Sequence, residues 1–150
     1  MPDLVEQSST KEALELQRAV FAFVRGFGLL ATHETPCGQA VPVSQAHALT
    51  ELARQSLTQL QLGAALGLTK STVSRLVDQL VDQRWATRTT DPTDGRRSVV
   101  VLTTGGRTRA QDISEARASR FRRLLDCVEP AEREHVTSAI RILAKATDAN

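Results

Sequence analysis

Five side chains between positions 70 and 75 have the chemistry to read a nucleic acid. Lys70, Ser71, Thr72, Ser74 and Arg75 place two cations and three hydroxyls within six residues. A guanidinium can bond guanine O6 and N7 together, whereas ammonium and hydroxyl groups serve phosphate oxygens as readily as base edges. Arg75 is therefore the candidate for direct base contact. Further along, Asp91-Pro92-Thr93-Asp94-Gly95-Arg96-Arg97 is a turn-forming stretch with two adjacent arginines, which puts positive charge at a loop tip. Arg96 is the candidate for that tip, with Asp94 holding the arginines in place. Thr72 either meets the DNA backbone or satisfies a helix cap. Arg88 and Arg97 suit phosphates or internal pairing better than bases. Any one of these residues alone would be an ordinary solvated side chain; their clustering is what points to DNA.

The spacing of the intervening apolar residues says what must carry them. Val73, Leu76, Val77 and Leu80 recur at i, i+3, i+4 and i+7, which predicts a helix with one buried face and Lys70, Ser71, Ser74 and Arg75 on the other. Thr69 caps it. Upstream, Thr58 and Gln61 are spaced as a capping box for a shorter helix. Gly63 is small where the two helices must cross, and Gly67 tolerates the positive φ of a tight turn. Downstream, Arg84–Thr90 and Ser98–Thr103 are β-prone runs on either side of the arginine turn, which predicts a hairpin. A helix-turn-helix followed by a hairpin wing can place its second helix in the major groove and the wing tip along the minor groove or phosphates.

Asp94-x-Arg96-Arg97, then Val99-x-Val101-Leu102-Thr103 and Gly106-Arg107, resemble the wing signature of the multiple antibiotic resistance regulator (MarR) family. The segment Leu62 to Leu80 resembles that family's helix pair. With flanking helices of suitable length, the resemblance covers nearly the whole chain. It implies a homodimeric winged-helix transcription regulator, usually a repressor released by a small-molecule effector or an oxidant. One departure is visible: Arg84 stands where the family usually has Gly before the first wing strand, followed by Trp85 in place of a smaller aliphatic.

The 150 residues suffice for one domain with a sizeable core. Aromatics are 3% of the chain and Tyr is absent, which argues against a base-stacking platform for single strands or RNA. The net charge of +2 decides nothing, but residues 70–109 hold eight Lys/Arg against four Asp, while residues 1–69 hold four against six acids. The positive surplus falls on the helix and wing just described. The start Met1-Pro2-Asp3-Leu4-Val5-Glu6 is not a secretory signal, and Ala19–Ala31, broken by Arg25, is too short to span a bilayer. Two cysteines make no disulfide framework. A cytoplasmic protein without membrane contact is expected.

The first helix is expected over about Thr10 to His33, with Leu16, Val20, Phe23, Phe27 and Leu30 on one stripe and Leu14 and Phe21 opposite. A helix apolar over most of its circumference needs cover on two sides, and in so small a domain a second subunit is the simplest cover. Ser44 is expected to cap a helix through about Gln55, with Ala46, Leu49, Leu52 and Ala53 inward. Gly105-Gly106 should start a long helix to about Asp126, and Glu129-Pro130 a final one carrying Val136, Ile140, Leu143 and Ala144. The fold class is mainly α with a small β-hairpin wing. It comprises a winged helix-turn-helix over about 44–104 and a helical dimerisation layer over about 10–33 and 106–147, in one domain.

His33, Glu34, Cys37 and His47 lie close in sequence, but their spacing matches no zinc motif. No metal, cofactor or catalytic residue is expected, nor an enzyme: no nucleophile elbow, phosphate loop or acid pair is present. Cys37, in a loop expected to be exposed, is a candidate redox thiol, whereas Cys127 among Leu124, Leu125 and Val128 is expected in the core. The alternatives to a ligand-responsive repressor are a redox- or metal-sensing regulator of the same fold and a winged-helix module that binds proteins instead of DNA.

Overall fold

A computed structural model describes residues 2–30 and 35–148. In chain order its elements are α1 (Pro2–Phe27), α2 (Val43–Arg54), β1 (Leu57–Thr58), α3 (Gln59–Leu66) and α4 (Lys70–Asp82). Then come β2 (Ala86–Thr90), β3 (Ser98–Leu102), α5 (Thr104–Asp126), a 3-10 turn at Pro130–Glu132 and α6 (Arg133–Asp148). The core lies where α2, α3, α4, the sheet and the first half of α5 meet, around Leu49, Leu62, Val77, Leu80 and Ile113. The mainly helical fold with a small wing is the class expected. Among the described residues no helix is long and apolar enough to cross a membrane.

Local chemistry sets the helix pair. Thr58 accepts from the Gln61 N–H while the Gln61 side chain accepts from the Thr58 N–H, the reciprocal cap that starts α3. Gly67, at φ 63°, ends α3 in the left-handed region. At Gly63 an added Cβ would lie 3.2 Å from Val73 Cγ1 and 3.4 Å from the Leu68 carbonyl oxygen, so the small residue lets α3 and α4 approach. Val73, Leu76, Val77 and Leu80 are all buried, as their period requires.

The structure departs from expectation at several points. First, α1 starts at Pro2, about two turns before the expected Thr10, and ends at Phe27 rather than His33, which lies outside the described residues. Gly28, at φ 86°, stops it, and the bonds Gly28 N–H to Arg25 O and Leu29 N–H to Val24 O form a Schellman closure. Second, Ser44 does not cap α2. Pro42, at φ −57°, is the capping residue, its carbonyl accepting from Ala46, and Ser44 sits exposed in the first turn. Ala53 is exposed too, while Gln45 and Ala48 are buried, because α2 is flanked by α3 and α5 together. Third, the hairpin gains a strand: β1 pairs antiparallel with β3, giving the order β1-β3-β2 with Leu57 opposite Val100. Fourth, Cys127 is exposed, not core; it follows the last turn of α5, where Leu124 and Leu125 are uncovered as well.

The first wing strand starts at Ala86, not Arg84. Arg84 is at φ 60°, the one non-glycine with positive φ among the described residues. The bonds Arg84 N–H to Val81 O and Trp85 N–H to Leu80 O repeat the Schellman pattern. A left-handed residue with a Cβ costs roughly 1–2 kcal/mol, partly offset by the freedom glycine loses on folding. Arg84→Gly is therefore expected to stabilise the fold by about 0.5–1 kcal/mol, a rise in Tm of roughly 1–4 °C in a thermal melt.

Candidate nucleic-acid interface

The recognition candidates sit on the first two turns of α4. The Thr69 hydroxyl accepts from the Thr72 N–H at 3.4 Å and lies 2.9 Å from the Thr72 hydroxyl, so Thr72 is engaged in the cap. Lys70, Ser71 and Arg75 are exposed, Thr72 and Ser74 half-buried. Gln59, Thr69, Lys70, Ser71 and Ser74 line one open depression. Lys70, Arg75 and Arg96 make no ion pair among the described residues, leaving their charge available to a ligand.

The wing tip is held by its own aspartates. Asp94 accepts from the Arg96 N–H at 3.1 Å through one oxygen and pairs with Arg97 Nε at 3.0 Å through the other. This leaves the Arg96 guanidinium as the free cation of the turn. Asp91 accepts from both the N–H and the hydroxyl of Thr93 at 2.8 Å. Those bonds hold its carboxyl below the usual carboxylate range. Arg97 thus serves internal pairing. Arg88 does so too, donating to Asp78 of α4 at 2.6 Å. An exposed pair of this kind adds little stability, but it links β2 to the recognition helix across their packed contact. Sequence reading missed Asp78 because the two residues share no local pattern.

A second depression, of about 240 Å³, lies between the turn after α1, α2 and α5, and is lined by Phe27, Cys37, His47, Arg117, Arg120 and Phe121 among others. The Phe27 and Phe121 rings are 5.2 Å apart, and Arg120 lies 5.4 Å over the Phe27 ring. Partial burial, then the Arg117 charge, lowers the His47 pKa against the opposing pull of Glu51. Cys37 is half-buried in this wall, its Sγ 2.8 Å from the Thr35 hydroxyl, rather than on an exposed loop. His33 and Glu34 lie outside the described residues; among those described, no three metal-ligating side chains converge. Nothing in the sequence marked Arg117 and Arg120, which join Cys37 and His47 only through the packing of α5 on α2.

Comparisons with known proteins bear on the fold that carries these residues. The MarR family model matches residues 41–97, the span from the start of α2 to the wing tip. No curated protein matches the chain by sequence. Among solved structures, a probable transcriptional regulator from Pseudomonas aeruginosa is 25% identical with a TM-score of 0.60, covering 93% of this chain and 98% of that one. The PcaV transcriptional regulator from Streptomyces coelicolor, solved with its natural ligand, is 25% identical with a TM-score of 0.61 and covers 90% of each chain. Bordetella bronchiseptica BpsR, whose DNA binding is regulated by 6-hydroxynicotinic acid, shares the fold at 20% identity, with a TM-score of 0.65 over 88% of this chain and 91% of that one. The fold is one that these solved transcription regulators share.

Proposed function

We propose that this chain, a MarR-family protein by its residues 41–97, is a cytoplasmic, ligand-responsive repressor that binds a pseudo-palindromic operator in double-stranded DNA as a homodimer. The observation that carries the reading is the set of unpaired cations, Lys70, Arg75 and Arg96, on a capped recognition helix and on a wing joined to it by Arg88 and Asp78. Lys70, Ser71, Ser74 and Arg75 face the major groove, with Thr72 behind them in the cap. Arg96 meets the minor groove or phosphate, with Asp94 and Arg97 shaping the tip.

A second copy covers the apolar faces that α1 and α6 leave exposed, including Phe21, Phe23, Ile140 and Ile142. A two-fold axis then sets two recognition helices about 34 Å apart, one turn of the duplex. The effector enters the depression beside Arg117 and Arg120, whose guanidiniums favour an anion between aromatic walls. That PcaV was solved with a natural ligand and that BpsR answers to 6-hydroxynicotinic acid supports a small-molecule release step here.

The test is selection of bound duplexes from random or genomic DNA, followed by titration of the selected site. Arg75→Ala should lose about 1–3 kcal/mol of discrimination at one base pair, roughly 5- to 150-fold, leaving binding to unrelated DNA nearly intact. Arg96→Ala should weaken all sequences alike and lower the slope of log K against log salt by about one. If both variants bind the selected site as the parent does, these residues are not the interface.

A further inference from the structure

Leu60 stands apart from the other exposed apolar side chains. Apart from it they lie on α1 and the turn after it, on α5 and on α6, whereas Leu60 is on α3, in the helix pair assigned to DNA. At 79% relative exposure it is the most exposed large apolar residue among those described. It has no part in the cap, which Thr58 and Gln61 form. It borders a cleft of about 470 Å³ between α3 and α4, floored by Gly63, Ala64, Leu68 and Val73, with Gln59 and Lys70 also lining it. Gln59 and Lys70 equally line the depression that holds Ser71 and Ser74. The apolar cleft and the polar reading face are therefore one continuous surface.

One apolar group is displayed by the major groove of B-DNA, the C5-methyl of thymine. The first helix of a helix-turn-helix crosses the backbone while the second enters the groove. An apolar edge on α3 beside the ammonium of Lys70 therefore matches a methyl-bearing base edge lying next to a phosphate. Gly63 keeps the floor of the cleft open. We propose that Leu60 contacts a thymine methyl beside the bases read by α4, and so determines specificity at a position that no polar side chain reads. This rests on the DNA-binding reading above.

The experiment uses the duplex selected by the full chain, synthesised with thymine and then with uracil at one position after another. The sequence alignment of selected duplexes should hold thymine at a position flanking the Arg75 contact. Uracil there should weaken the parent about three- to ten-fold, as expected for losing one buried methyl. Leu60→Ala, at a solvent-exposed site whose loss leaves the core intact, should bind the thymine duplex more weakly by a similar factor and no longer distinguish thymine from uracil. A selected site without thymine at that position overturns the proposal. So does a Leu60→Ala protein that keeps the parent's preference for thymine; the DNA-binding reading then survives. Failure of the parent to select any duplex overturns both.

Discussion

Gly106→Ala is expected to destabilise the protein by about 3 kcal/mol, lowering Tm by roughly 6–12 °C. Gly106 lies in the first turn of α5, directly beneath the backbone of Trp85. An alanine Cβ at this position would fall on the Trp85 carbonyl and would lie 3.2 Å from Leu102 Cδ2. The carbonyl is not free to move aside. It accepts from the Thr103 N–H at 3.0 Å, the Thr103 hydroxyl donates to the Arg84 carbonyl at 2.7 Å, and the same hydroxyl caps Gly106 N–H at 3.0 Å. The wing base and the start of α5 are thus one clamp, and a methyl group there forces one of them off the other. Helix propensity alone gives the opposite sign, since Ala is favoured over Gly by about 1 kcal/mol in a helix interior. Gly105→Ala supplies the contrast. Its Cβ would meet nothing nearer than Thr103 Oγ1 at 3.8 Å, so that variant should melt at or above the parent. Equal melting of the two variants would show that the clamp does not exist.

That clamp also marks how far the sequence could be read. The signals that succeeded are local: the i, i+3, i+4, i+7 run from Val73, the Thr58 and Gln61 box, the Thr69 cap, and Gly63 and Gly67 at the crossing and turn. Each is a pattern within eight residues, dictated by backbone geometry. What escaped depends on residues distant in sequence or on competition between neighbours. β1 has two residues, too few to show any period. Ser44 carries the right side chain for a cap, but Pro42 had already fixed the entry geometry two residues earlier. Gly106 reads as a helix start and conceals its contact with Trp85. Arg84 was visible as a departure from the family, and its φ of 60° gives the reason glycine is the usual residue there. The Asp78–Arg88 pair and the depression around Arg117 and Arg120 exist only once strands and helices are laid side by side.

The exposed faces of α1 and α6 carry the largest predicted effect. Ile140 is 53% exposed in the single chain and Ile142 64%, with Val136 one turn before them. Among the described residues neither α1 nor α6 packs broadly against another element of its own chain. Aspartate at position 140 costs the lone chain little, because that site meets water. In the proposed two-fold contact the same carboxylate would be buried on both copies, so each would suffer the penalty. If the chain pairs as proposed, Ile140→Asp should therefore sediment as a folded monomer at concentrations where the parent sediments as a dimer. Its affinity for the selected operator should fall by about 10²- to 10⁴-fold, because the second half-site is no longer held at high effective concentration. A dimeric Ile140→Asp protein would move the subunit contact away from α6. A monomeric variant that still binds the full operator like the parent would remove the need for pairing altogether, since each recognition helix would then act alone.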